Sequence, residues 1–310
     1  MALTIFRNYP LLFFSLLFVT LQSSDVPQGK YNFRFRGNTH THARLSDENP
    51  ANDVPEIASW YREAGYNFLC LSEHNDHVEL KQLICHDEAE LLPGFIMLCG
   101  NELSNERHHT ALGINRYIGD ETSLQDGVKK TLEAGGIPIL NHPMDPPVNA
   151  ADFIAAAGLY HLEVFNGGRK DETRRSEQLW DSIMSAQDGR IVYAVASDDN
   201  HYKKSNVGKG WIIVDAPELT DADILESIRN GKFYASTGIV VDFYEVSRRS
   251  VKISSSNCDS IFFVGRYGRV LRSVKGKSAD YRLRGDEGYV RIKLKDTAGR
   301  EAWMQPVKAL

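Results

Sequence analysis

Cysteine is scarce in this 310-residue chain: there are four, Cys70, Cys85, Cys99 and Cys258, and no two make a CxxC pair. A structural zinc knuckle is thereby excluded. Cys70 (Phe68-Leu69-Cys70-Leu71) and Cys99 (Ile96-Met97-Leu98-Cys99) lie in apolar runs, where a thiol packs as a small hydrophobe, and no spacing requires a disulfide. An excess of one charge is lacking too. Thirty-six Lys and Arg against 41 Asp and Glu leave a net −5, so composition gives no general attraction to nucleic acid, and such a substrate would need a local basic patch or bound cations. Internal repeats and low-complexity tracts are absent. So are Gly-x-Ser-x-Gly and phosphate-loop patterns, which leaves no sign of a nucleophilic serine elbow or a nucleotide-cradling loop.

What is there is ordinary globular composition, 42% hydrophobic and 25% charged, with length for one large domain and a small one. The N-terminus differs from the rest. A single charge, Arg7, precedes the apolar run Leu11 to Leu21, and polar Gln22-Ser23-Ser24-Asp25 follows. That run is too short to cross a bilayer comfortably, and its layout predicts a secretory signal over 1–24. The expectation is a secreted or periplasmic protein with no membrane span after cleavage, or an anchored one if the segment stays. No cysteine marks a lipoprotein-type cut, and cleavage near Ser24 removes Arg7 and takes the charge from −5 to −6.

Short apolar runs then alternate with helical patterns. Strands are expected at Asn32 to Arg36, Asn67 to Ser72, Phe95 to Leu103, Thr110 to Tyr117, Ile137 to Leu140, His161 to Phe165, Ile191 to Ala196 and Gly210 to Val214. Helices are expected at Pro55 to Ala64, in a stretch reaching Leu92, and at Ser123 to Ala134, Asp152 to Ala157, Thr173 to Gln187 and Asp221 to Arg229. Sustained alternation of this kind predicts a parallel α/β sheet, closed or nearly so, with chemistry at strand ends. From about Phe243 helical patterns vanish. Short alternating runs at Val251 to Ser254, Ser260 to Val264, Tyr281 to Arg284 and Tyr289 to Leu294 predict a small antiparallel β domain over 241–310, after a main domain over 30–240.

The residues that carry chemistry follow the strands. His40-Thr41-His42 comes first, then Ser46-Asp47; residues two apart on a strand point the same way, so both imidazoles can face one ion. An apolar strand ends in Ser72-Glu73-His74, another in Asn101-Glu102, with His108-His109 shortly after. Asn141-His142-Pro143 and Asp198-Asp199-Asn200-His201 close two more. Charged and imidazole groups at the ends of buried strands are costly without partners. Any one group has a bland reading as a solvated strand end, but five strands deliver such groups to one face. Imidazole and carboxylate suit Zn, Mn or Fe.

Taken together, these motifs resemble the PHP (polymerase and histidinol phosphatase) superfamily, over about Tyr31 to Gly238. One branch with a C-terminal β domain is similar further on, at Gly210-Trp211, Gly231 to Gly238, Tyr289-Val290-Arg291 and Ala302-Trp303. The resemblance implies a distorted (β/α)7-type barrel and three divalent ions. His40, His42, Glu102 and Asp199 would hold one; Glu102 would bridge to a second held also by His108 and His142; Asp47, His74 and His201 would hold the third. Adjacent His109 is an alternative to His108, whereas only Asp199, not Asp198, makes Asp-x-His. Of the other histidines, His77, His86, His109 and His161 read as surface or supporting groups. Arg44, Arg169, Lys203 and Lys204 lie in loops beside the motifs and are candidates for binding a substrate phosphate, against a bland reading as solvated charges. Glu163 and Asn166 end a further strand on the same face, to orient a ligand histidine or to contact substrate.

The activity this implies is hydrolysis by a metal-activated water, with no protein nucleophile. A small phosphomonoester, or a nucleotide or oligonucleotide end, is the first expectation for substrate, without a stable nucleic-acid complex. Amide or carbamate hydrolysis on the same site is the second, as a related branch includes it. A non-catalytic binding protein is the third, and the full ligand set argues against it.

Overall fold

The computed structural model describes residues 28–43, 54–75, 93–119, 121–186, 190–201 and 204–309. The expected signal segment, the helical stretch before Leu92, and Arg44, Asp47, His77, His86 and Lys203 lie outside them. Among the described residues no helix is long and apolar enough to cross a membrane.

Up to residue 236 the chain is built of short strands, most of them buried: β1 (Gly29–Lys30), β2 (Phe35–Asn38), β3 (Phe68–Cys70), β4 (Ile96–Leu98), β5 (Gly100–Leu103), β6 (His109–Leu112), β7 (Ile137–Leu140), β8 (His161–Asn166), β9 (Tyr193–Ser197), β10 (Trp211–Val214) and β11 (Phe233–Ser236). Between them run α1 (Val54–Glu63), α2 (Leu124–Glu133), α3 (Ala150–Ala155), α4 (Thr173–Ala186) and α5 (Asp221–Arg229). The helices follow from their patterns. In α1 the buried residues Val54, Ile57, Ala58 and Tyr61 recur at i, i+3, i+4 and i+7, one face of a 3.6-residue period. Ser123 caps α2 by accepting the amide of Asp126, and Thr220 caps α5 through the amide of Asp223.

The strands β2 to β11 are divided between two sheets rather than forming the closed or nearly closed parallel barrel expected. β5-β6-β7-β8-β9 make a five-stranded sheet in which only β7-β8 and β8-β9 are parallel. β2, β3 and β4 pair in parallel within a ten-stranded sheet. Single bridges, Thr41 to Asn200 and His74 to Glu102, join the two sheets at the strand ends. The expected strand from Phe95 to Leu103 is divided at Cys99, so that β4 pairs with β3 and β5 with β6. Gly100 permits that change of sheet: a Cβ there would lie 2.5 Å from Cys70 Sγ and 3.0 Å from the Ala111 carbonyl. Cys99 is disulfide-bonded, contrary to its expected role as a plain core thiol, whereas Cys70 and Cys258 are free.

After β11 come β12 (Phe243–Val246), β13 (Ser250–Ser254), β14 (Ser260–Gly265), β15 (Arg269–Lys275), β16 (Ser278–Arg282), β17 (Tyr289–Lys295), β18 (Glu301–Met304) and β19 (Val307–Lys308). β1, β12, β13 and β16 form a separate four-stranded sheet. β15, β14, β17 and β18 continue, through β11 and β10, into β2, so this part of the C-terminal β structure extends the sheet that carries the first histidines. α4 packs on it through Asp181, which receives Arg291 Nε at 2.8 Å and Nη2 at 2.7 Å, with all groups buried.

Candidate metal centre

The centre lies at the two seams, and backbone bonds there set its depth. The His42 amide donates to the Asn200 carbonyl (2.9 Å) and the Asp199 amide to the His40 carbonyl (3.1 Å), locking the His40-Thr41-His42 strand end to the Asp199 turn. At the other seam the Glu102 amide donates to Glu73 and the Asn75 amide to Glu102, which sets His74 beside Glu102. Two ligand candidates have positive φ, His142 at 22° and Asp199 at 46°. Backbone of this kind in non-glycine residues is held only where the surroundings fix it.

Side chains from five strand ends converge. His40 Nε2 is 3.1 Å from His42 Nε2 and 3.3 Å from both Glu102 Oε1 and Asp199 Oδ1. His42 Nε2 is 3.5 Å from Glu102 Oε2 and from Asp199 Oδ1. His142 and His108 approach Glu102 Oε1 at 3.5 and 3.3 Å, and His74 Nδ1 lies 2.9 Å from its Oε2. His201 Nε2 is 3.1 Å from Asp199 Oδ1. His42 stacks on His74 and His201 at centroid distances of 4.4 and 4.2 Å. His40, His42, Glu102, His142 and Asp199 are buried, whereas the side chains of His74, His108 and His201 are 19, 24 and 29% exposed. The centre thus has a closed floor and an open rim.

This donor set fits divalent cations. Its ligand atoms form three groups, each within 4.8 Å: His40, His42 and Asp199; His40, Glu102 and His142; His42, His74 and His201. Burial depresses His40, but Asp199, Glu102 and Glu163 outweigh it and raise its proton affinity well above that of an ordinary histidine. Burial lowers His42, beside it, to about 3. Burial opposes ionisation of Glu102, yet His40, His108 and His142 hold it well below the usual carboxylate range. Two buried carboxylates among crowded imidazoles favour positive charge, which ions supply without the repulsion between protonated rings.

Other candidates are sorted by their contacts. His108 faces Glu102; His109 is buried under α2, with Nε2 3.3 Å from Thr131 Oγ1. Asp198 receives the amides of Gly208, Lys209 and Gly210 and the Tyr66 hydroxyl, so it shapes a loop. Arg169 lies at the centre, donating to Asp199 Oδ2 (2.8 Å) and Asp145 Oδ2 (3.0 Å). Lys204 pairs instead with exposed Glu63. Glu163 is buried and receives His40 Nδ1 at 2.8 Å, so of its two expected roles the structure displays contact with a histidine. Sequence reasoning passed over Asn141, which donates to Glu102 Oε1 (2.8 Å), and Asp145, whose carbonyl meets His142 Nδ1 (2.7 Å). Asn141 adjoins His142 and Asp145 lies three residues after it, and the polar Asn141 directly after an apolar strand was the available signal.

No protein-family model and no curated protein matches this chain. Among solved structures it is similar to a two-domain protein from Bacteroides vulgatus containing a predicted PHP-like metal-dependent phosphoesterase, with 13% identity, 90% of this chain and 97% of that one covered, and a TM-score of 0.51. PsfC from Pseudomonas syringae (14% identity, 63% and 89% covered) and an amidohydrolase from Chromobacterium violaceum (16%, 64% and 96%) give TM-scores of 0.48 and 0.44. The first likeness shows a shared fold across nearly the whole of both chains.

Proposed function

We propose that the protein is a metal-dependent hydrolase, and specifically a phosphoesterase acting on a small phosphomonoester or on a nucleotide or oligonucleotide end. The observation that carries this reading is the convergence of His40, His42, Glu102, His142 and Asp199 on a buried floor, with His74, His108 and His201 on the open rim. In this reading His40, His42, Glu102 and Asp199 would hold one ion, Glu102 with His108 and His142 a second, and His74 and His201 with Asp47 a third. Bound Mn, Zn or Fe would supply Lewis acidity toward a phosphoryl oxygen and ionise water near neutral pH.

The chain's own residues do the rest. The buried floor fixes the direction of the ligand atoms and excludes bulk water from beneath. The half-exposed rim histidines leave one side open to substrate. Arg169, 33% exposed, holds Asp145 and Asp199 and offers the remainder of its guanidinium to an anionic oxygen. Arg44 and Lys203 are proposed as further cations for a phosphate. We also propose export through residues 1–24, ahead of a catalytic unit over 30–240 and a β unit over 241–310. The disulfide at Cys99 suits an oxidising compartment.

The test is metal analysis of the purified protein, with assays in Mn, Zn or Fe on phosphomonoesters, phosphodiesters and aryl carbamates. Bound metal and phosphomonoester turnover are expected, and both should disappear in the His40→Ala, Asp199→Ala double variant. Turnover of carbamates alone would replace the phosphoesterase assignment, and absence of both metal and turnover would refute the enzyme reading.

A further inference from the structure

Glu163, on β8, is a buried carboxylate beside the metal centre with four donor partners. Oε1 receives His40 Nδ1 (2.8 Å) and the Ser197 hydroxyl; Oε2 receives the backbone amide of His142 (2.6 Å) and Asn166 Nδ2 (2.9 Å). Four donors fill the acceptor positions of a residue that, ionised, can only accept. Two of these partners are ligand candidates from other strand ends, and they are held differently: His40 by its ring, His142 by the backbone at its positive φ.

We propose that Glu163 is a positioning residue that fixes the His40 tautomer, placing the ring proton on Nδ1 and leaving Nε2 as the lone-pair donor to the ions. The inference rests on the metal-centre reading above. A ring nitrogen bonded to a carboxylate is protonated, and the other nitrogen is then the ligand. That other nitrogen, Nε2, is the one facing His42, Glu102 and Asp199.

The neighbours make the charge of Glu163, and not merely its shape, essential. The His142 amide is backbone and cannot turn into an acceptor. Asn166 cannot flip without penalty, because its Nδ2 also donates to Asp199 Oδ2 (3.1 Å) while its Oδ1 accepts the Gly168 amide (2.9 Å). The Oε2 position must therefore stay an acceptor. In Glu163→Gln the carbonyl oxygen takes that place, and the new NH2 faces His40 Nδ1 and Ser197. The serine hydroxyl can rotate to accept. His40 can accept only by moving its proton to Nε2, the atom turned toward the ions. An isosteric change thus disables a ligand without opening a cavity.

The probe is Zn2+, which is diamagnetic, titrated into the full-length protein, with histidine tautomers read from 15N chemical shifts. In the zinc-loaded wild type, His40 is expected to be protonated on Nδ1 and ligating through Nε2. Glu163→Gln is expected to bind zinc tenfold to a hundredfold more weakly in the groups that use His40, with the His40 proton on Nε2. Glu163→Asp keeps an acceptor-only carboxylate and should restore the Nδ1-protonated form and part of the affinity. Wild-type zinc binding with His40 protonated on Nε2 would overturn the proposal even if neither variant folds, as would Glu163→Gln binding zinc like the wild type. Failure of the wild type to bind zinc, manganese or iron would remove the metal-centre reading and this inference together.

Discussion

Arg169 donates to Asp199 Oδ2 at 2.8 Å from the rim of the centre, while Asp199 Oδ1 faces His40, His42 and His201 on the other side. One oxygen of this carboxylate therefore belongs to the ligand cluster and the other to a cation. A charge-assisted bond of this kind contributes about 1.5–3 kcal/mol. If the guanidinium also receives a substrate oxygen, Arg169→Met should lower kcat/KM for a phosphomonoester by about 10- to 100-fold while metal content stays near that of the wild type, and Arg169→Lys should recover part of it. Steady-state kinetics alongside metal analysis measure both. A variant that keeps full kcat/KM would remove Arg169 from substrate binding.

His161 gives a pH dependence away from the metal centre. Its ring packs near Tyr193 and Phe233, Nε2 meets the Ile228 carbonyl at 3.1 Å, and burial lowers it from 6.5 to about 4. The folded protein therefore resists protonating this ring, while the unfolded chain takes up the proton below about pH 6.5. Stability from this group is undiminished above pH 6.5, declines as pH falls toward 4, and levels off below. The loss amounts to about 3 kcal/mol at 1.36 kcal/mol per unit. His161→Phe keeps an aromatic ring without a titrating group. Urea unfolding of both proteins at pH 7.5, 5.5 and 4.5 should show their stability difference shifting in favour of the variant as pH falls. A constant difference would contradict the assignment.

Much of the centre was legible because buried apolar strands ending in His, Glu or Asp are chemically conspicuous. The strand Ile137 to Leu140 and the helix Asp221 to Arg229 stand where periodicity predicts them. Sheet pairing was not legible. β6 runs antiparallel to β5 and β7, and strands such as these, buried on both faces, carry no mark of direction; β10 likewise runs antiparallel to β2. β15 was missed because Arg269 to Lys275 is mostly exposed and lacks an apolar alternation. The supporting bonds of Glu163 and Asn141 arise between strands distant in sequence, and no local spacing encodes them.

The disulfide makes a simple chemical prediction. Cys99 is bonded, whereas Cys70 and Cys258 are free and buried, where burial raises both thiols above their ordinary range. Thiol titration of the purified protein should find two reactive groups after denaturation without reductant, and four after reduction. Slow or absent reaction is expected at Cys70 in the folded state, because the thiolate is the reactive form. Four thiols without reductant would remove the disulfide and with it one support for an oxidising compartment.

Arg291 and Asp181 test how firmly α4 is fastened to the C-terminal strands. The guanidinium makes two bonds to the carboxylate, which also receives the Tyr289 hydroxyl (2.8 Å), and it lies 4.8 Å from the Trp180 ring centroid. Removing one member of such a pair leaves a buried charge without its partner and costs about 3–5 kcal/mol, whereas replacing both by apolar residues costs much less. Arg291→Met should therefore lower the urea midpoint strongly, and adding Asp181→Leu should recover much of the loss. The pair bonds to Tyr289 and Glu177, on the C-terminal strands and α4, so the double variant should retain metal content and turnover per folded molecule. Equal and additive losses from the two single substitutions would mean that the pair contributes no coupling, and α4 would then be held by its apolar face, through Leu179, Trp180 and Ile183.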